Sequence, residues 1–297
     1  MNITDAHHHI WWKQMTPWLN GPMAPKIFGE YQSIRRDYSI DEYNTDVAPN
    51  GVTKSVYVQI NLPPEQAAWE VEAVRAAGRT QGLIQAVVAQ ADLRSPTLDA
   101  ELDQIQALGG VRGIRQQLHW HPTPAYRFAA SPTQMLDPRW RRGLGQLAKR
   151  DLLFEVQVFP QQMPDMLRII DERPDLTFVL LHAGMLEDRS EDGWTTWRSA
   201  LHEAARRPNL LVKLSGLGTF VRRCTVPDWK PVIEQTIEEF GPTRCMFGSN
   251  FPIEKIWTDY ATLIDVFTQS IAGYSLDERA AILGTTADST YRINEEF

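Results

Sequence analysis

Short apolar runs rich in β-branched residues alternate with amphipathic stretches along almost the whole chain. Eight runs have the length and composition of buried strands, and they lie at residues 3–10, 54–60, 82–90, 111–118, 152–158, 176–182, 210–214 and 245–251. Seven stretches show helical spacing of apolar positions, at residues 65–79, 96–108, 140–150, 163–172, 194–206, 227–240 and 260–270. This alternation of strand and helix predicts a parallel sheet with right-handed crossovers.

The number and spacing of these units predict an α/β protein that folds as a single (β/α)8 TIM barrel. Eight strand–helix units in 297 residues fit a closed barrel better than an open doubly wound sheet. No GxGxxG motif follows the first strand, which disfavours a dinucleotide-binding sheet. No linker or internal repeat divides the chain, so we expect one domain over residues 1–297, closed by one or two helices within 275–293.

Two predicted connections are longer than is usual between such elements. One spans residues 11–38 after the first strand, and the other spans residues 119–138 after the fourth strand. Loops that follow strands lie on the catalytic face of a barrel, so we expect these two to form walls or lids over a site. An equally weighted alternative is that their aromatic residues only cover the barrel rim.

Composition argues against nucleic acid and membranes as partners and indicates a cellular compartment. The chain has 37 acidic and 30 basic residues and a formal charge of −7, without the basic face typical of nucleic-acid binders. Its apolar runs are far shorter than the ~20 residues that span a bilayer. Two cysteines and the lack of a secretory signal pattern favour the cytoplasm. We therefore predict a cytoplasmic protein that binds a small molecule, with a homo-oligomer left open.

Polar residues collect where the predicted strands end. Alternate positions of a strand share a face, so Asp5, His7 and His9 are expected on one side of the first strand. The ends of later strands offer Arg115, Gln117, Glu155, Gln157, His182, Lys213, Ser215 and Asn250. An apolar core gains nothing from such groups, whereas the carboxyl ends of barrel strands are where active sites form. A shared pocket is the favoured interpretation over isolated, satisfied polar residues.

The order of these motifs resembles that of a known family. The segment Asp5-Ala6-His7-His8-His9 resembles the DxHxH opening of the amidohydrolase superfamily, in the branch called amidohydrolase family 2. The resemblance implies a TIM-barrel hydrolase related to sugar lactonases, to 2-pyrone-4,6-dicarboxylate lactonases and, more distantly, to zinc-dependent decarboxylases. Later blocks of the branch are resembled in the same order by residues 113–115, 182–184, 213–216 and 247–252.

The resemblance implies roles for individual residues. His7 and His9 match the pair that ligates a divalent cation in metal-dependent relatives, and His182 matches the histidine of the sixth strand. These three are the candidate metal ligands and, with Asn250, the candidate catalytic residues. Arg115 resembles the arginine that holds a carboxylate or carbonyl group of the substrate. His8 is expected on the opposite face of the strand, as a packing residue.

Two departures from the family pattern affect the cofactor prediction. Two-metal members of the superfamily usually carry a histidine on the fifth strand, and this chain has the run 154–157 there instead. Asn250 stands where the family has an aspartate that serves as metal ligand and general base, and an amide is a poor substitute in both roles. We therefore predict that no cofactor is required, with one zinc or manganese ion as the alternative. His182 or a first-strand histidine would be the base, and Asn250 would position the water. Glu254 is a further candidate for the missing carboxylate.

The predicted substrate-binding residues are Arg115, Gln157, Lys213, His119 and His121. The last two form a second HxH pair, which lines the site, completes a metal sphere or lies on the surface. The leading hypothesis is hydrolysis of a lactone of an organic or sugar acid, with an anionic group on the substrate. The alternatives are a zinc-dependent non-oxidative decarboxylase of an aromatic or unsaturated acid and a non-catalytic ligand-binding barrel.

Overall fold

A computed structural model describes residues 2–293 of the chain and contains eight parallel strands in one sheet. Each strand pairs with the next along the chain. The sheet closes where a parallel bridge joins His8 to Phe251, and the Asn250 N–H donates to the His7 carbonyl oxygen at 2.7 Å. The predicted (β/α)8 barrel is therefore confirmed. The strands are Ile3–His8 (β1), Val52–Val58 (β2), Ile84–Ala89 (β3), Val111–Arg115 (β4), Leu153–Val156 (β5), Phe178–Leu180 (β6), Leu210–Leu214 (β7) and Cys245–Phe247 (β8).

Helices between the strands cover the outside of the barrel and bury their apolar faces against it. Side-chain caps mark where several begin: Ser190 Oγ, for example, accepts from the Gly193 N–H at 3.1 Å. The helices are Pro17–Asn20 (α1), Ile40–Val47 (α2), Ala67–Gln81 (α3), Leu98–Ala107 (α4), Pro138–Ala148 (α5), Met163–Asp171 (α6), Glu191–Ala205 (α7), Val226–Phe240 (α8), Tyr260–Ser270 (α9), Leu276–Ala280 (α10) and Thr286–Thr290 (α11), with a π-helical turn at Ala281–Thr285.

The carboxyl-terminal helices close the barrel at the amino ends of its strands. A capping box between Ser275 and Glu278 begins α10, as the sequence predicts. Gly284 then packs near the carbonyl oxygen of Asn2, and Tyr291 lies with the side chains that fill the barrel interior. The domain prediction over 1–297 includes residue 1 and residues 294–297, which lie outside the described residues, and it stays a prediction.

Several strands end earlier than predicted, which places the polar residues on the loops just beyond them. β6 ends at Leu180 and β8 ends at Phe247, before His182 and Asn250. Both of these residues have left-handed backbone conformations, with φ of 55° and 56°. Such a conformation interrupts strand pairing and costs free energy in a non-glycine residue, and it concentrates at functional sites.

The expected grouping of Asp5 with His7 and His9 is wrong. The pairing of β1 with β2 shifts register between Asp5 and His8. Asp5 Oδ2 accepts hydrogen bonds from the hydroxyls of Tyr43 on α2, at 2.8 Å, and Tyr260 on α9, at 3.1 Å. The register shift therefore turns Asp5 toward the surrounding helices, because the regular alternation of faces fails where a strand bulges.

The chemical partners and the compartment stay predictions. Among residues 2–293, no helix combines the length and the apolar character needed to cross a bilayer. In a closed barrel of this kind, a site is expected at the carboxyl ends of the strands.

Candidate active site

A cavity of about 280 Å³ opens at the carboxyl ends of the strands. Its size lies close to the lower end of the ~300–1,000 Å³ range typical of small-molecule pockets. The loops at 11–38 and 119–138 both contribute to its wall, as predicted for loops that follow strands. Six of the predicted site residues line it: His9, Arg115, His119, Gln157, His182 and Asn250.

Three imidazoles form a cluster at this end of the barrel. The ring centroid of His7 lies 5.2 Å from that of His9 and 4.9 Å from that of His182. His9 Nδ1 is 2.6 Å from the Val58 carbonyl oxygen, and His182 Nδ1 is 3.0 Å from Ser215 Oγ. These contacts fix the orientation of the two rings and leave the Nε2 atoms of His9 and His182 without a backbone partner.

Burial keeps these imidazoles neutral. Desolvation, reinforced by the Arg115 charge, lowers the pKa of His9 to about 3. Burial, followed by the charges of Arg115 and Lys213, also lowers the pKa of His182. Burial and the Lys213 charge lower the pKa of His7. At neutral pH each ring is therefore uncharged, and its free nitrogen lone pair is able to accept a hydrogen bond or bind a cation.

Arg115 supplies positive charge at the same place. Its Nη2 donates to the Gln59 carbonyl oxygen at 2.5 Å, and the Gln59 side chain donates back to the Arg115 carbonyl oxygen at 3.3 Å. The Nε atom is buried and makes no hydrogen bond within residues 2–293. Burial lowers the Arg115 pKa to about 10, so the guanidinium remains charged at neutral pH.

Asn250 connects the cavity to a buried carboxyl group. Its side chain hydrogen-bonds with His9 and with Glu254, and both bonds modify the pKa values of those groups. Glu254 is fully buried, and the Trp257 indole N–H donates to its Oε2 at 2.6 Å. Burial raises the Glu254 pKa to about 8, so this carboxyl is protonated at neutral pH. Glu254 therefore lies next to Asn250 but does not line the cavity.

Two further predicted residues complete the wall near the fourth and fifth strands. Gln157 Oε1 accepts from the Gln117 amide at 3.1 Å, and both side chains line the cavity. His119 also lines it, and burial, with smaller contributions from Arg115 and Lys26, lowers its pKa to about 3. The wall beside Arg115 therefore offers neutral hydrogen-bonding groups rather than charges.

Lys213 lies inside the barrel and does not line the cavity. Its Nζ is 2.5 Å from Glu155 Oε1, and both side chains are fully buried. The Tyr291 hydroxyl donates to the same carboxylate oxygen at 2.7 Å. A buried ammonium needs an anionic partner, and here the protein itself supplies one. The predicted contact between Lys213 and substrate stays a prediction that this placement does not favour.

In each of the two HxH pairs, one histidine lines the cavity and the other does not. His7 lies beneath His9, fully buried and without a place on the cavity wall. His121 is also away from the wall, since the chain beyond Arg115 is a loop and no longer alternates its faces. His121 Nδ1 accepts from the Thr123 N–H at 3.0 Å. His8 stacks on Tyr43 at 3.9 Å, in the packing role predicted for it.

The chemistry of the three imidazoles suits one divalent cation. Both ring nitrogens of His7 are buried without a hydrogen bond to any described residue, and His9 has the backbone contact common behind metal ligands. In the present side-chain positions, residues 2–293 contain no group of three His, Cys, Asp or Glu side chains arranged to hold a metal ion. The donors are thus of the right kind, and the loop after β8 brings Asn250, rather than a carboxylate, to the cavity wall.

Sequence reasoning missed several residues of the cavity wall. Lys26 and Arg127 come from the two long loops, and Gln59 and Asn61 follow β2. The only signal for Lys26 was its position in a long loop rich in aromatic residues. Trp18 and Phe28 from the same loop make the outer wall apolar.

Comparison with known proteins places this architecture in a family. The family model described as Amidohydrolase (Amidohydro_2) matches residues 4–293. The chain belongs to this family, as the order of its motifs predicts, and membership supports its assignment as a hydrolase.

Characterised and uncharacterised relatives cover nearly the full length. The chain is 31% identical over 293 residues to the uncharacterised protein y4mH of Sinorhizobium fredii, with 98% of each chain covered. It is 29% identical over 306 residues to an L-fucono-1,5-lactonase of Burkholderia multivorans, covering 98% of this chain and 96% of the relative.

A solved structure bears on the cofactor. A crystal structure of an amidohydrolase from Burkholderia multivorans with bound zinc superimposes with a TM-score of 0.83 at 25% identity, covering 98% of this chain and 99% of the other. Metal ions are thus found in this family, which favours the alternative of one divalent cation over the prediction that none is required.

Proposed function

We propose that this protein hydrolyses a lactone, a cyclic ester of an organic or sugar acid, in the cavity at its strand ends. The observation that carries the proposal is the presence of Arg115, His9 and His182 on one cavity wall, with Asn250 beside them. A guanidinium next to neutral imidazoles offers a charge for an oxyanion and acceptors for a proton. Family membership and the similarity to L-fucono-1,5-lactonases support ester hydrolysis as the reaction.

Arg115 stabilises the oxyanion in this mechanism. When the oxygen of water bonds to the ester carbonyl carbon, the carbonyl oxygen gains negative charge. The Gln59 carbonyl holds one amino group of the guanidinium, which fixes the orientation of the group at the cavity wall. Because the surroundings are buried, this charge is preorganised and acts more strongly than it would in water.

The imidazoles of His182 and His9 are the candidate proton acceptors, and the hydrogen bond between Asn250 and His9 leaves Nε2 of His182 the more accessible of the two. One of them takes the proton of the attacking water, while Asn250 holds that water by a hydrogen bond. The ring C–O bond then breaks, and the released alkoxide takes the proton back to give a hydroxy acid. A cation held by His7, His9 and His182 would polarise the ester carbonyl as a Lewis acid.

A pH-indicator assay over a panel of γ- and δ-lactones tests the proposal. The protein is assayed as purified, after chelation, and after zinc or manganese is restored, and its metal content is measured in parallel. We expect acid release that equals lactone loss, abolished by His182→Asn and retained by the control His121→Asn, whose ring does not line the cavity.

The outcomes separate the hypotheses. Activity that survives chelation supports catalysis without a cofactor, whereas loss reversed by zinc or manganese supports the cation. No lactone turnover in any metal state would contradict the proposal. In that case, carbon dioxide release from an aromatic or unsaturated acid would support a decarboxylase, and ligand binding without turnover a non-catalytic barrel.

A further inference from the structure

The loop after β1 is anchored over the cavity and carries a lysine of the cavity wall. Within this loop, the Trp18 indole N–H donates to the Ile60 carbonyl oxygen at 2.9 Å, which ties α1 to the end of β2. Arg35 donates to the Leu19 carbonyl oxygen at 2.9 Å and so closes the loop on itself. Lys26 lies between these anchors and lines the cavity.

The Lys26 ammonium has no anionic partner among residues 2–293. No salt bridge forms with it there, and its Nζ lies 5.7 Å from the centroid of the Trp18 ring. Its charge is close enough to His119 to lower the pKa of that imidazole. Lys26 itself is partly desolvated, which lowers its pKa. A cation in such a place is stabilised by an anion that the described part of the protein does not provide.

The other cations of the wall are already engaged. Arg127 donates to the Pro122 carbonyl oxygen at 2.9 Å and lies over the Trp120 ring at 4.7 Å. Arg115 is held by the Gln59 carbonyl oxygen. Three cations thus line the cavity, and no Asp or Glu does among the described residues, although the chain as a whole has an excess of acidic side chains. The local excess of positive charge indicates an anionic ligand.

We propose that Lys26 binds a carboxylate of the substrate on the loop side of the cavity, while Arg115 faces the ester carbonyl at the strand ends. This inference rests on the proposed lactone hydrolysis and narrows its substrates to lactones that carry a free carboxylate. The compact ammonium suits a single carboxylate oxygen. The rings of Trp18 and Phe28 next to it suit the apolar body of a lactone ring.

Two lactones of equal ring size test the inference. Wild type, Lys26→Met and Lys26→Arg are assayed on 5-oxotetrahydrofuran-2-carboxylate and on neutral γ-butyrolactone. We expect Lys26→Met to raise KM for the carboxylate lactone roughly 10- to 100-fold, the usual effect of losing one charge-assisted hydrogen bond. The neutral lactone should change less than about threefold, and Lys26→Arg should recover part of the loss.

The control variant is Lys13→Met. Lys13 lies in the same loop but away from the cavity wall, so both substrates should keep their wild-type parameters. Equal losses on both lactones after Lys26→Met, or no loss on either, would overturn the carboxylate assignment while leaving lactone hydrolysis intact.

A binding measurement separates this inference from the proposed reaction. Calorimetry with 2-hydroxyglutarate, the hydrolysis product of the carboxylate lactone, requires no turnover. Binding that weakens tenfold or more in Lys26→Met supports the carboxylate site even if no lactone is hydrolysed. No binding to wild type, together with no preference for the carboxylate lactone, would overturn it.

Discussion

Cations occupy two regions of this barrel, and their surroundings differ. In the interior, Lys213 is paired with Glu155, and the Tyr291 hydroxyl completes a cluster that no solvent reaches. At the cavity, Arg115 and Lys26 face a space whose described wall contains no carboxylate. Buried charge needs a counter-charge: Glu155 supplies it to Lys213 in the first region, and in our proposal a ligand supplies it in the second.

This difference shows how to separate structural from functional cations near a strand end. Lys213 and Arg115 are both buried and both follow the pattern of polar residues at strand ends. They differ in their hydrogen-bonding partners. Lys213 bonds to the Glu155 carboxylate and needs no anionic ligand, whereas Arg115, among the described residues, bonds only to the Gln59 carbonyl oxygen. The following predictions test this distinction, from the largest effect to the smallest.

Breaking the interior pair should have the largest effect. Lys213→Met leaves Glu155 buried without its cation, which should cost about 3–5 kcal/mol of the free energy of unfolding. Denaturant unfolding measures this loss, and Lys213→Met combined with Glu155→Gln should recover part of it. The control is Lys230→Met, which removes an exposed pair with Glu234 and should cost no more than about 1 kcal/mol. A Lys213→Met protein as stable as wild type would contradict the pairing argument.

Removing the cavity guanidinium should reduce activity more than stability. Arg115→Met should lower kcat/KM for lactones about 10²- to 10³-fold, as loss of an oxyanion donor does in other enzymes. Arg127→Met is the comparison, because its side chain already bonds to loop carbonyls and should affect turnover less. Steady-state kinetics provide both values. Similar losses of kcat/KM in the two variants would contradict the role of Arg115 as the oxyanion donor.

The pH dependence of stability should report the protonation of the buried Glu254 carboxyl. Glu254 forms no salt bridge among the described residues, and its pKa of about 8 exceeds the unfolded value of about 4.5. Its stabilising contribution is therefore complete below pH 4.5 and is lost as pH rises through 8, because the folded state holds the proton longer.

Glu254→Gln should remove this slope, which amounts to at most about 1.4 kcal/mol per pH unit. Unfolding free energies measured between pH 5 and pH 8.5 for both proteins test it, and the difference between them isolates Glu254 from other titrating groups. Parallel pH curves would show that the Glu254 pKa is close to its unfolded value.

The smallest effect is expected from the second HxH pair. His121 lies outside the cavity wall, so His121→Ala should change kcat/KM by less than about twofold. It should change the free energy of unfolding by less than about 0.5 kcal/mol. His119→Ala removes a wall residue and should change KM measurably. Equal kinetic effects of the two variants would contradict the different positions found for these histidines.

Much of the site followed from sequence because barrel geometry is restrictive. Alternation of apolar runs and helical patterns fixed the barrel, and in a barrel all strands end on the same face. His9, Arg115, His182 and Asn250 were therefore expected together, and the cavity wall contains all four. Residue type and strand order were sufficient for these positions.

Other positions depended on contacts that no local pattern encodes. A register shift in β1 turns Asp5 away from the face that carries His7. Lys213 pairs with the Glu155 carboxylate, which lies 58 residues earlier in the chain. Lys26 reached the cavity only because hydrogen bonds anchor a long loop over the strand ends. Periodicity predicts direction within a regular element, but it carries no information about bulges, loops or partners.

The sequence by itself determined the barrel, the face that carries the site and the family to which the chain belongs. The tertiary structure decided which charged side chains are paired inside the protein and which face a cavity whose described wall has no carboxylate. The physical reason is that secondary structure follows from local repetition along the chain, whereas the state of a charge depends on burial and on its neighbours in space.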